Sequence, residues 1–347
     1  MLKYFKNKII KSESFRNLLA NAGLIVVLAV VLVIAFYFYG VRMPGVSYSG
    51  PLPALSADSE KLRDRLSEHV RVLSMEIGER HPGKIEQLVQ AADYIEGQFT
   101  DFTYVPKSEI INDKGYRNIV VDLYGRQDRN KILLVGAHYD TTWLTAGADD
   151  NASGVAALLE IARAFRGRDL PITIRFVAFA NEEFPYYGTP DMGSLYHAQR
   201  ARDQNEEIVG MFSLEMLGYY SDQRRSQYYP KIIRSFYPRQ GNFIAFVSNI
   251  VSRPLLVDAI STFREQTSFP TQGLAAPQWL VRGIRRSDHA SFWKNGFQAV
   301  MITDTANYRN YGYHNVGDTH NSLDYDRMTI VVEGIMQMLE SLARQYQ

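Results

Sequence analysis

Residues 132–140 read ILLVGAHYD, and residues 147–165 read GADDNASGVAALLEIARAF. The first is an apolar run of strand length that ends in His138, with Asp140 two residues on. The second opens on two acids and several small residues, then continues as an apolar stretch of helical length from Ala152 to Phe165. A buried strand, a loop and a covering helix form the unit from which parallel sheets are built.

The same alternation extends outward in both directions. Further β-rich runs stand at Asn118–Leu123, Ile172–Phe179, Val209–Leu214, Asn242–Val247 and Ala299–Thr303. Helical patterns stand at Leu195–Asp203, Leu255–Phe263 and Arg327–Arg344. Two amphipathic helices precede the first strand. Leu62, Leu66, Val70, Leu73 and Ile77 set one over 58–77, and Leu88, Ala91, Ala92, Ile95 and Phe99 set the other over 84–99. The predicted fold is α/β, a mostly parallel mixed sheet with helices on both faces, occupying residues 57–347. The aromatic, irregular stretch 219–286 reads as a loop-rich insertion.

From Asn17 to Val41 the chain carries no charge, and residues 23–39 read GLIVVLAVVLVIAFYFY. A bilayer core needs about 20 such residues, so 19–40 is predicted to be a transmembrane anchor. Lys3, Lys6, Lys8, Lys11 and Arg16 precede it, and only Arg42 follows closely. The positive-inside rule then keeps residues 1–18 in the cytoplasm and exports the rest. Residues 41–56, rich in Gly, Pro and Ser, read as a stalk. Lysine plus arginine number 38 against 37 aspartate plus glutamate, which gives no basic excess to point to nucleic acid. The chain has no cysteine, so any metal must be held by histidine and carboxylate.

Candidates of that kind stand where the predicted strands end. His138 and Asp140 follow one strand, Glu182 and Glu183 another, Glu215 a third, and His314 and Asp318 come after a fourth. Asp149 and Asp150 stand at the start of the helix after His138. In open α/β sheets the ligand crevice lies at the carboxyl ends of the strands. Five segments thereby bring imidazoles and carboxylates to one rim, a set suited to two divalent ions and a free acid that handles protons.

The runs LLVGAHYDTT, TAGADDNASGVAALLEIARAF, FVAFANEEFPYYGT, FSLEMLGYY, SDHASFWKNGFQAVMITDT and YHNVGDTHNSLDYDRM resemble the co-catalytic zinc aminopeptidase family. That family includes secreted bacterial leucine aminopeptidases, glutamate carboxypeptidase and glutaminyl cyclases. The resemblance implies two zinc ions per chain, with His138 on one, Asp150 bridging both, and Glu183 and His314 on the second. Glu215 falls where most members carry an aspartate on the first zinc. Glu182 would be the general base, Asp140 would orient His138, and Tyr313 would donate a hydrogen bond to the oxyanion. The resemblance also implies a cis peptide between Asp150 and Asn151.

The implied reaction is removal of the N-terminal residue from a peptide with a free amino terminus. Phe184, Tyr186, Tyr187, Tyr219 and Tyr220 are candidates for an apolar side-chain pocket. Two other readings stand beside it: a glutaminyl-cyclase-like acyltransferase and a non-catalytic, receptor-like ectodomain. Glutaminyl cyclases lack the first-metal histidine, whereas His138 and Asp140 are both present here, and all five ligand positions carry competent side chains.

Overall fold

The computed structural model describes residues 2–112 and 114–346, with side chains from Asn17 onward. The basic residues Lys3, Lys6, Lys8, Lys11 and Arg16 lie outside the described side chains. Helix α1 (Leu2–Phe36) runs into a wider turn, Tyr37–Val41. The apolar run Asn17–Val41 is 25 residues long, long and apolar enough to cross a membrane. Residues 1–42 form one compact unit and residues 43–347 another.

The larger unit starts earlier than a stalk over 41–56 allows. Met43 is buried, and a Cβ placed on Gly273 would stand 2.5 Å from its Cγ. Arg264 donates to the Pro44 carbonyl at 2.7 Å, and the Ser47 hydroxyl accepts from the Thr271 amide at 2.9 Å. Leu52 and Leu55 pack against the core. This stretch is a strap laid on the domain, because its few apolar side chains find a face to cover. Ser56 then caps helix α2 (Ala57–Arg71), its hydroxyl accepting from the Ser59 amide.

Helix α3 (Ile85–Asp101) leads into the sheet. Its strands are β1 (Lys107–Ile110), β2 (Arg117–Leu123), β3 (Asp128–His138), β4 (Ile172–Phe179), β5 (Glu207–Glu215), β6 (Ile244–Ser248), β7 (Thr271–Ala275) and β8 (Ala299–Thr303). They lie in the order β1-β2-β4-β3-β5-β8-β6-β7. The four central strands β4, β3, β5 and β8 run parallel, while β1, β2 and the β6–β8 pairing are antiparallel. Along β3 the side chains alternate between two cores: Leu133 and Val135 join one, Ile132 and Leu134 the other. Helices α2, α3, α4 (Gly154–Phe165), α6 (Arg253–Gln266) and α8 (Tyr325–Arg344) cover the first face. Helices α5 (Gly193–Asp203) and α7 (His289–Lys294) cover the second.

The stretch 219–286 differs from the loop-rich insertion read from its sequence. Residues 219–243 are irregular, but β6, α6 and β7 complete the sheet edge. Strand β7 reads TQGLA, too short and too small in its side chains for a periodic signal.

Candidate metal centre

Parallel strands in register put their carboxyl ends on one rim, and His138 closes β3 there while Glu215 closes β5. Beyond β4 the chain turns at Asn181, and the amides of Glu182 and Glu183 donate to the two oxygens of Asp140, at 2.9 and 3.0 Å. Asp140 Oδ1 also lies 3.4 Å from His138 Nδ1, so one carboxylate sets the histidine and both glutamates.

Asp150 sits on the turn Ala148–Ser153, whose Asp150–Asn151 peptide is cis. The Asn151 side chain ties that turn to β5, donating to the Leu214 carbonyl at 2.9 Å and accepting from the Met216 amide at 3.0 Å. Asp318 accepts from the amides of Asp149 and Asp150 at 2.7 and 3.0 Å. Gly147 enters the turn at φ 61°, and a Cβ there would meet the Asp150 carbonyl at 2.5 Å, so only glycine fits. Arg80, fully buried, donates to the carbonyls of Tyr139, Leu73, Gly78, Ala146 and Gly147 at 2.8–3.0 Å. Burial pulls its guanidinium down to about 10, while Asp318, Asp140 and Asp150 favour its charge.

These braces leave five side chains converging. His138 Nε2 is 3.3 Å from Asp150 Oδ1 and 3.4 Å from Glu215 Oε2. His314 Nε2 is 3.2 Å from Asp150 Oδ2 and 3.0 Å from Glu183 Oε1. The donor atoms in each group of three lie within 4.8 Å of one another. His138 Nε2 and Asp150 Oδ1 are buried and make no hydrogen bond among the described residues. Buried polar atoms are ordinarily satisfied, so this pair fits a cation between them. Imidazole with carboxylate and no thiolate is a donor set that zinc accepts.

Glu215 also accepts from the Ser287 hydroxyl at 2.6 Å. Glu182 is buried, yet among the described residues its carboxyl has no hydrogen bond or ion pair. Burial pushes it well above the usual carboxylate range, with Glu183, Glu215 and Asp288 adding to the effect. Burial would lower His314, but Asp150 and Glu183 outweigh it and raise the imidazole to about 10. Tyr313 stacks on His314 with ring centroids 3.8 Å apart, and burial raises its hydroxyl. Asp222, the next acid along the chain from Glu215, is exposed and pairs with Arg327.

A cavity of about 110 Å³ opens beside Glu215 and Tyr313 and is lined by Tyr229, Tyr237, Phe243, Met301 and Tyr308. None of Phe184, Tyr186, Tyr187, Tyr219 and Tyr220 lines it. Phe184 points to solvent and Tyr186 packs on Tyr116. Arg80 and Ser287 have no role that the sequence assigns, and of the two only Ser287, next to Asp288 in the run SDHASFW, carries a signal; Asn151 stands in the run GADDNASG, but its side-chain tie to β5 is visible only in the fold.

The sequence profile of peptidase family M28 matches residues 118–339. A protein of Escherichia coli strain K12, "Uncharacterized protein YfbL", is 36% identical over 287 residues, 80% of this chain and 87% of that one. A "Probable zinc metalloprotease" of Pyricularia oryzae is 27% identical over 311 residues, 81% of this chain. The chain covers 58% of the length of that fungal relative, and 61% of a like-named one from Phaeosphaeria nodorum. Among solved structures, BSAP, a zinc aminopeptidase from Bacillus subtilis, superposes with TM-score 0.64 at 13% identity, over 82% of this chain and 96% of that one. Porphyromonas gingivalis glutaminyl cyclase gives 0.59 at 20%, over 82% and 98%. At such identities the likeness establishes the fold.

Proposed function

The chain belongs to peptidase family M28 and is a zinc peptidase, and from that premise we propose that it is an aminopeptidase working with two ions. The observation that carries the reading is the carboxylate of Asp150. Its two oxygens lie 3.3 and 3.2 Å from two different imidazoles, and each imidazole faces a second carboxylate. His138, Asp150 and Glu215 would hold one ion, and Asp150, Glu183 and His314 the other. The longer Glu215 still reaches, since its Oε2 is 3.4 Å from His138 Nε2. Zinc bound there supplies Lewis acidity, which lowers the pKa of a water toward about 7 and polarises a carbonyl.

The protein's own groups do the remaining work. Glu182, whose carboxyl has no partner among the described residues, takes a proton from the attacking water and passes it to the leaving amine, a role typically worth 10²–10⁴-fold. Asp140 fixes His138 and the backbone of both glutamates, so base and ligand keep their spacing. The Tyr313 hydroxyl, kept protonated by burial, donates to the carbonyl oxygen as it gains charge. The neighbouring cavity would take the N-terminal side chain. The Gln227 amide in its wall is already bonded to Thr305 and Arg309, at 2.8 Å each, which favours an apolar side chain.

A panel of amino-acid amides and peptides, with free and acetylated amino termini, tests the reading on zinc-loaded and chelated protein. Release of the first residue from free termini alone is expected. Release from the carboxyl end of blocked peptides, or cyclisation of N-terminal glutamine without hydrolysis, would overturn it. We further place residues 1–18 in the cytoplasm, the apolar run in the bilayer and the domain from Met43 outside. Protease added to intact cells should digest that domain, and full protection would reverse the topology.

A further inference from the structure

The chain's charge is nearly balanced, but its unpaired cations are not evenly spread. Twelve arginines, Arg63, Arg71 and Arg344 among them, lie within 4.0 Å of a carboxylate. By contrast Arg224, Arg225, Lys231, Arg234, Arg239, Arg282, Arg285 and Arg286 are all exposed, and none has an ion pair among the described residues. They come from two stretches, 223–241 and 276–287, that contain no aspartate or glutamate. The stretches are neighbours in space, since Tyr229, Ile233 and Tyr237 line one cavity together with Val281, Ile284 and Arg286. Exposed apolar side chains stand among the cations: Tyr228 at 54%, Ile232 at 47% and Trp279 at 77% exposure.

We propose that this basic, aromatic patch rests on an anionic phospholipid surface, the bilayer that holds the chain's own apolar run. The proposal rests on the membrane reading of Asn17–Val41. Cations attract acidic headgroups, and tyrosine and tryptophan settle at the headgroup level. Chain connectivity favours this partner. Only Arg42 separates Val41 from Met43, which is already fixed against Gly273 of β7. Tyr237, within the basic stretch, donates to the carbonyl of that same Gly273 at 2.7 Å. A tethered surface is presented at high effective concentration, so weak contacts suffice. An acidic peptide would use the cations, but it has no need of the exposed Tyr228, Ile232 and Trp279.

The full-length protein is reconstituted into nanodiscs of phosphatidylcholine alone, or with about 30% phosphatidylglycerol, enough to give a clearly negative surface. Amide hydrogen exchange is then followed over 224–239 and 279–286. Exchange in both stretches should slow roughly tenfold in the anionic discs, and about 0.5 M salt should erase the difference by shortening the Debye length. The triple variant Lys231→Glu, Arg234→Glu, Arg239→Glu should lose the difference while keeping its zinc content and its hydrolysis of neutral amides. Equal exchange in the two discs, or slowing that survives charge reversal, would overturn the proposal. So would a reversal that leaves exchange untouched and raises KM for acidic peptides alone, which would assign the patch to substrate. If the protein fails to enter discs, the anchor reading fails separately. Sedimentation with preformed vesicles of both compositions then decides: binding that requires the anionic lipid supports the patch, and no binding removes it.

Discussion

Glu182 and Glu183 share one backbone clamp, yet they should fail in different ways when changed. Both amides donate to Asp140, at 2.9 and 3.0 Å, so an isosteric Glu→Gln change at either position keeps the turn. The side chains differ. Glu183 Oε1 lies 3.0 Å from His314 Nε2, inside a group of three candidate metal donors, whereas the Glu182 carboxyl has no partner among the described residues. Glu182→Gln should therefore retain zinc, with KM little changed, and lose the proton transfer. That is a fall of about 10²–10⁴ in kcat, or roughly 3–5 kcal/mol of barrier. Glu183→Gln removes an anionic donor. Its zinc affinity should fall by more than the 10–100-fold typical for loss of a group that merely orients a ligand. Zinc per chain after dialysis against a graded chelator, together with steady-state kinetics on an amino-acid anilide, reads both effects. Equal metal loss in the two variants would make both acids ligands and leave the base unassigned. Normal turnover in Glu182→Gln would refute the mechanism outright.

Asp140→Asn should lower zinc affinity by about 10–100-fold, measured by the same chelator competition, because His138 and the Glu183 amide lose a shared acceptor. A domain that begins at Met43 should melt as the full chain does. One that begins at Ser56 should melt roughly 5–10 °C lower in calorimetry, because losing the buried Met43 side chain alone costs about 2–5 kcal/mol. Glu160 gives a pH test remote from the metals. Burial would raise its carboxyl, but His69, Arg163 and Arg65 outweigh burial and hold it at about 2 against 4.5 unperturbed. The stability it contributes, about 3 kcal/mol, is therefore present above pH 4.5 and is lost as the pH falls from there through about 2. Urea midpoints in Glu160→Gln should be lower at neutral pH and should flatten across that window.

The candidate ligands are legible because His138 and Glu215 close strands, Glu183 follows one closely and Asp150 opens a covering helix, and parallel topology brings such ends together. What was illegible shares a different feature. Arg80 and Asn151 use their polar atoms on main-chain amides and carbonyls, which every residue carries, so no pairing of side-chain types in the sequence announces those contacts; Asp318 and Asp140 stand out as candidates, but their clamps on backbone amides are hidden in the same way. The strap over 43–55 looks like a stalk in sequence for the same reason, since a Pro carbonyl and a Thr amide supply two of its contacts. The cavity wall failed differently. Phe184, next to Glu183 in sequence, points to solvent, while Tyr229 and Tyr237 arrive from an irregular stretch that carries no period. Ligand chemistry and ligand placement are thus recorded at different levels of the chain. A relative that keeps all five donors but lacks the Asp318 carboxylate leaves the amides of Asp149 and Asp150 without acceptors. Its Asp150 would then have little to hold both oxygens toward two imidazoles, although its motif would look complete.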